Sequence, residues 1–152
     1  MNIKKDLKNG KTLKKLMQKG ERFAPIYGYP DYYVSNMGRV FSDKGHGKIL
    51  QVDVRGAYRY VTLSVKGEDE DFKISRLVAL AWCKGYAPKK VVHHCNCDSM
   101  DDRAINLMWL TEEEHIAVHK AINRFILLSV AEVSIIKTVD TDCLIESEVS
   151  AA

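Results

Sequence analysis

The chain has no run of about 18 consecutive apolar residues, so no helical membrane span is expected. Its first twenty residues, MNIKKDLKNGKTLKKLMQKG, lack the apolar stretch and small-residue cleavage site of a secretory signal. The expected location is therefore intracellular, in the cytoplasm. Cysteine is sparse and unpatterned: Cys83, Cys95, Cys97 and Cys143 show no secreted-scaffold spacing, and reduced thiols are expected. Internal repeats and low-complexity segments are also absent. What is present suits one folded domain. The chain has 152 residues, 46% of them hydrophobic and 28% charged, enough to bury a core and too apolar for disorder throughout.

The net charge of +3 hides an uneven distribution. Residues 1–22 carry eight Lys/Arg against two acids, residues 23–120 carry thirteen of each sign, and residues 121–152 carry two bases against five acids. The positive charge sits at the front, as a polyanion-binding chain would have it.

The pattern along the chain predicts an α+β fold built on small antiparallel sheets. Leu7, Leu13, Leu16 and Met17 suggest a short basic helix in the first twenty residues, interrupted by Asn9-Gly10 and ended by Gly20. Between Phe23 and Phe72, turn-rich segments separate three or four short strands: Tyr32–Ser35 resuming through Gly38–Phe41, then Lys48–Val54 and Tyr58–Val65. Ser75 is placed to cap a buried helix, Arg76–Trp82, that Gly85 ends. Lys89–His93 and Asn106–Leu110 then read as paired strands around a polar loop, Cys95–Ile105. Thr111 and Glu114 form a Thr-x-x-Glu capping box for a following helix, and Glu112 and Glu113 add negative charge at its positive end.

Four of the five histidines fall within residues 93–119. His115 and His119, four apart on the capped helix, share one face. Imidazole is a preferred ligand for zinc and other transition ions, so such a pair is a natural chelating unit. His93 and His94 are adjacent in a strand and point to opposite sides. One of them can therefore bind a metal while its neighbour takes a proton, with an unperturbed pKa of ~6.5 suited to a general base.

Val91-Val92-His93-His94, a polar loop, and then Arg103-Ala104-Ile105-Asn106-Leu107-Met108-Trp109-Leu110-Thr111-Glu112-Glu113-Glu114-His115 together resemble the HNH nuclease motif, the ββα-metal finger. The spacings of 12 from His94 to Asn106 and 9 from Asn106 to His115 are similar to those of phage and intron homing endonucleases. Upstream, Tyr27–Val40 resembles the NUMOD-type module that precedes HNH in those enzymes, and Arg76-Leu77-Val78-Ala79 is similar to its closing helix. The resemblance covers about residues 22–120. There are departures: Phe23 stands for a leading Trp, Ser75 for a His, and the loop Cys95–Asp102 differs from the usual Asp/Gly/Asn/Lys pattern.

The resemblance implies a basic arm (1–22), a NUMOD-like DNA-binding module (23–88), an HNH finger (89–125) and a C-terminal tail (126–152). It implies a metal-dependent endonuclease acting on double-stranded DNA, encoded by a phage or mobile element in a bacterial host. By position, His94 is the general base, His93 and His115 are metal ligands, and His119 is a further ligand or phosphate contact. Asn106 orients the base and its loop. One divalent ion is implied, Mg²⁺ or Mn²⁺ first, with Zn²⁺, Ni²⁺ or Co²⁺ as alternatives. The enzyme would act on DNA as a monomer that nicks or as a homodimer that cuts both strands.

Tyr32, Tyr33, Arg39, Arg55, Arg59 and Tyr60 put basic and aromatic groups on the upstream strands, where alternation lets only half of them face DNA. Phosphate contacts are expected from these arginines, from Arg103 and from positions 12, 14 and 15 of the arm: Thr12, Lys14 and Lys15. Arg103 reads equally as a surface ion-pair residue. Two other readings stay open: a DNA-binding protein that keeps the finger as a non-cleaving scaffold, and a structural zinc protein using Cys95 and Cys97. Residues 128–136 and 147–152 resemble the start of a helix-turn-helix, which suggests a truncated DNA-reading tail or, alternatively, a packing helix with an acidic end.

Overall fold

β-Branched and aromatic residues at alternating positions, punctuated by glycine turns, draw residues 23–73 into strands. The computed structural model describes residues 7–129. A short helix, α1 (Gly10–Leu16), comes first. It is followed by β1 (Phe23–Ile26), β2 (Tyr29–Ser35), β3 (Val40–Ser42) and β4 (Lys48–Ile49), which pair antiparallel in that order. A second antiparallel sheet contains β5 (Asp53–Arg55), β6 (Tyr58–Val65) and β7 (Glu68–Lys73). Helix α2 (Ile74–Trp82) leads to a two-stranded hairpin, β8 (Val91–His94) and β9 (Leu107–Leu110). The chain divides into two units, Met1–Thr111 and Glu112–Ala152. In the second unit, residues 112–129 are helical (α3).

Several expectations change. The front module holds seven strands rather than three or four: β1 and β7 are additional, and the expected strand over 48–54 breaks into β4 and β5, which belong to different sheets. Helix α1 begins at Asn9-Gly10 instead of being interrupted there, and it ends at Leu16, before Gly20. Asn9 is drawn away from the helix: its N–H and side-chain amide bind the Asp43 side chain and carbonyl. Helix α2 starts at Ile74, one residue before the expected cap, so Ser75 lies buried inside it and Lys73 occupies the cap without a side-chain bond. Helix α3 starts directly after Thr111, where the capping-box pattern puts it. The helix-turn-helix resemblance falls almost wholly on residues 130–152, outside the described residues.

Strand β2 is covered on both faces. Tyr32 and Val34 join Val40, Val61, Leu63, Ile74, Leu77, Val78, Leu107 and Trp109 in the main core, while Tyr33 packs with Leu13, Phe23 and Phe41 in a second cluster. Tyr32 and Tyr33 are thus both buried, which corrects the expectation that one of them faces DNA. Leu107 and Trp109 of the hairpin sit in the same core as β2, β6 and α2, so the hairpin and the front module share one interior. The Trp109 indole N–H donates to the Ala79 carbonyl (3.3 Å) and that of Trp82 to the Val34 carbonyl (3.2 Å), so both tie α2 into place. Among the described residues no helix is long and apolar enough to cross a membrane.

Candidate active site

The β8–β9 register sets His93 opposite Met108 and His94 opposite Leu107. Both imidazoles are buried, at 4% and 8% exposure, at the strand end where the loop departs. His94 Nε2 lies 3.2 Å from Asp102 Oδ1. The other oxygen of the same carboxylate accepts from Arg59 Nε at 2.8 Å, and Arg59 Nη2 also donates to the Gly38 carbonyl at 3.3 Å. Asp102 is only 2% exposed, so its charge is balanced inside the protein by Arg59 rather than by water.

The loop between the strands is fixed from within. Cys95 N–H donates to the Asn106 carbonyl (2.8 Å) and Cys97 N–H to the His94 carbonyl (3.0 Å). Asn106, expected on β9, instead ends a 3₁₀ turn (Ala104–Asn106) and is buried. Its side chain accepts from Asn96 N–H (3.0 Å) and donates to Asn96 Oδ1 and the Asp101 carbonyl (both 2.9 Å). Asp101 receives Arg103 Nε and Nη2 at 2.7 and 2.6 Å. That pairing holds its carboxyl well below the ordinary range, at about 2.

In the second unit, one turn of α3 sets His115 Nε2 3.2 Å from His119 Nε2, with ring centroids 4.5 Å apart. With Zn–N bonds of ~2.0–2.1 Å, two nitrogens sharing a tetrahedral ion would stand ~3.4 Å apart, so this spacing suits a chelating pair.

The basic residues separate by what already holds them. Arg39 donates to the fully buried Glu21 carboxylate, through Nε at 2.8 Å and through Nη2, and to the Leu16 carbonyl at 2.8 Å. Burial would raise the Glu21 carboxyl, but the bonds from Arg39, Gln18 N–H and Ser35 hold it below its usual value. Arg59 is committed to Asp102. Arg55 and Arg103 pair with exposed or shallow acids, Asp53, Asp71 and Asp101. Lys14 and Lys15 are exposed on α1. Position 12 is a threonine and carries no charge, so it cannot act as a cationic phosphate contact. Cys95 and Cys97 are exposed free thiols.

Asp102 and Glu21 were not singled out by sequence reasoning. Asp102 follows another aspartate in a polar loop, and no spacing rule separates the one that faces the histidine from the one that faces Arg103.

Residues 21–66 match the NUMOD4 motif. The chain is 43% identical over 108 residues to the uncharacterized HNH endonuclease L247 of Acanthamoeba polyphaga mimivirus, an alignment covering 69% of this chain and 27% of that protein. It is 34% identical over 93 residues to DNA endonuclease I-HmuI of Bacillus phage SP01, covering 60% of this chain and 53% of that one. The chain thus spans about half the length, or less, of the curated relatives it matches. A solved structure described as DNA binding and cleavage by the HNH homing endonuclease I-HmuI superposes with a TM-score of 0.61 at 33% identity, over 68% of this chain and 59% of that one. The chain thus carries a NUMOD4 motif and is similar, over 60–69% of its length, to proteins named as HNH and DNA endonucleases.

Proposed function

We propose that the chain is a divalent-metal-dependent endonuclease that hydrolyses phosphodiester bonds in double-stranded DNA. The observation that carries this reading is the buried His94 at the end of β8, with one ring nitrogen 3.2 Å from Asp102, in a chain aligned with named HNH and DNA endonucleases. An ionised carboxylate only accepts. The neutral ring therefore donates Nε2–H to Asp102 and keeps a lone pair on Nδ1. His94 takes a proton from water at Nδ1 as the hydroxide attacks phosphorus. Asn106 moves no proton; it pins Asn96 and Asp101 so that the loop leaves the strand end in one conformation.

His93, His115 and His119 are the proposed metal ligands, each with one ring nitrogen to give. An ion held by these side chains would supply positive charge for the scissile phosphate and the departing 3′ oxygen. An all-imidazole set favours Zn²⁺, Ni²⁺ or Co²⁺ in affinity, and holds Mn²⁺ and the oxygen-preferring Mg²⁺ more weakly.

DNA contact falls to the exposed cations. Lys14 and Lys15 track the backbone; Arg55, whose partners Asp53 and Asp71 are exposed, can exchange them for phosphates, and Arg103, itself exposed, can add a phosphate contact while keeping Asp101. Arg39 and Arg59 shape the module instead, because leaving Glu21 or Asp102 would strand a buried charge. One finger holds one site, so a single copy cuts one strand per event and a double-strand break takes a second copy. The test is to incubate a labelled duplex with Mn²⁺ and analyse the ends: 3′-hydroxyl and 5′-phosphate termini support the reading. A retarded but intact duplex with every ion would favour the non-cleaving scaffold.

A further inference from the structure

We infer that Asp102 is a positioning residue for His94, and that Arg59 and the turn at Gly38, both within the NUMOD4 motif, hold Asp102 in place. The inference rests on the nuclease reading for its consequence and on the geometry for its substance.

A carboxylate at 2% exposure with two separate partners has little freedom: one oxygen faces His94 Nε2 and the other takes the Arg59 N–H. Rotating it would break both bonds inside the protein. A histidine has two tautomers, and only the one with its proton on Nε2 satisfies Asp102. Asp102 therefore selects the form whose Nδ1 can accept a proton and fixes the plane of the ring.

The front module closes this arrangement from the other side. Gly38, at φ +76°, lies so close that an added Cβ would meet Arg59 Nη2 at 2.7 Å, Asp102 Cβ at 3.1 Å and the Asp102 carbonyl at 3.2 Å. Two residues earlier, the Asn36 carbonyl accepts Ala104 N–H at 2.9 Å, and Asn36 is itself held by Arg22 N–H at 2.7 Å. The turn between β2 and β3 thus grips the loop on both sides of Arg103, at Asp102 and Ala104. Residues of a DNA-binding motif would in this way set the orientation of a base in the nuclease hairpin.

The experiment compares the full chain with Asp102→Asn, Arg59→Ala and the double variant, with thermal unfolding as the control for folding. Asn is nearly isosteric but presents an amide N–H₂ to one of two donors, so it cannot satisfy both. Asp102→Asn should lower kcat about 100-fold, the low end of what a positioned base contributes, with KM and duplex retardation unchanged. Arg59→Ala should cost less, and should add nothing on top of Asp102→Asn, because it acts through that carboxylate. The ¹⁵N spectrum of the His94 ring gives a readout independent of activity and of any variant: the wild type should show the Nε2–H tautomer, and Asp102→Asn should mix the two forms. A wild-type Nδ1–H tautomer, or a folded Asp102→Asn with undiminished kcat, would overturn the inference. If the wild type leaves DNA intact, the nuclease reading falls and the ring spectra still decide whether Asp102 sets the imidazole.

Discussion

Asn96 and Asn106 are bonded to each other in both directions: Asn96 N–H donates to Asn106 Oδ1 at 3.0 Å, and Asn106 Nδ2 donates to Asn96 Oδ1 at 2.9 Å. A third bond, from Asn106 Nδ2 to the Asp101 carbonyl, ties the far side of the loop to the same amide. Asn106→Asp removes only the amide hydrogens and sets oxygen against two acceptors. It should cost about 2–3 kcal/mol, the scale of leaving buried polar groups unpaired, read as a lowered urea midpoint. Activity should fall further than the unfolded fraction accounts for, since the loop that follows His94 loses its anchor.

The pairing of Arg39 with buried Glu21 makes a prediction about acid. Glu21 has a folded pKa below its unfolded one, so it contributes stability that is present above the unfolded value of ~4.3 and lost as pH falls through the folded value. Asp101, at about 2 against ~3.9 unfolded, behaves the same way. Thermal scans should show wild-type stability dropping as pH falls from about 4 toward 2. In Arg39→Ala the buried carboxylate loses its partner, at a cost of about 3 kcal/mol near neutral pH. Burial then dominates and raises the Glu21 carboxyl, so acidification should relieve part of that loss. A variant that loses stability in acid in parallel with the wild type would contradict the pairing.

Gly38 sits at a left-handed φ with no room for a methyl group. Gly38→Ala should destabilise the protein by about 2 kcal/mol or more from backbone strain and crowding together. By contrast, Gly67→Ala, at φ +86° with nothing within 4 Å, has the strain without the crowding and should cost less. Equal costs at the two positions would argue against a tight seat for Gly38.

For the metal, His119→Ala should weaken Mn²⁺ binding by about 10- to 100-fold, as losses around metal sites do, while leaving the unfolding midpoint of the metal-free protein near wild type. Isothermal titration with Mn²⁺ measures this directly. An unchanged affinity would remove His119 from the ligand set and leave His93 and His115 to be tested in the same way.

Local chemistry made a good part of this architecture legible in advance. The start of α3 after Thr111 follows from cap residues and acids in one turn, and the pairing of β8 with β9 around a polar loop follows from the two short apolar runs. What did not show was long-range pairing. Arg39 and Arg59 look alike as basic residues in a strand-rich module, and only the fold reveals that each is matched to a buried carboxylate, 18 and 43 residues away. The break between β4 and β5 was hidden for the same reason: nothing in residues 48–54 tells one strand from two until they join different sheets. At the site, the histidines announce themselves through spacing, whereas Asp102 gains its role only by where the loop folds back.

The central claim is that His94 is the base of a metal-dependent nuclease. The most direct test is cleavage of supercoiled plasmid by the full chain with Mn²⁺ or Mg²⁺, beside His94→Ala and an EDTA control. Open-circular or linear product with the wild type alone, and a loss of at least about 100-fold in His94→Ala, is the predicted result. Plasmid that is retarded on a gel but stays supercoiled with every ion, or that His94→Ala cuts as fast as the wild type, would contradict it.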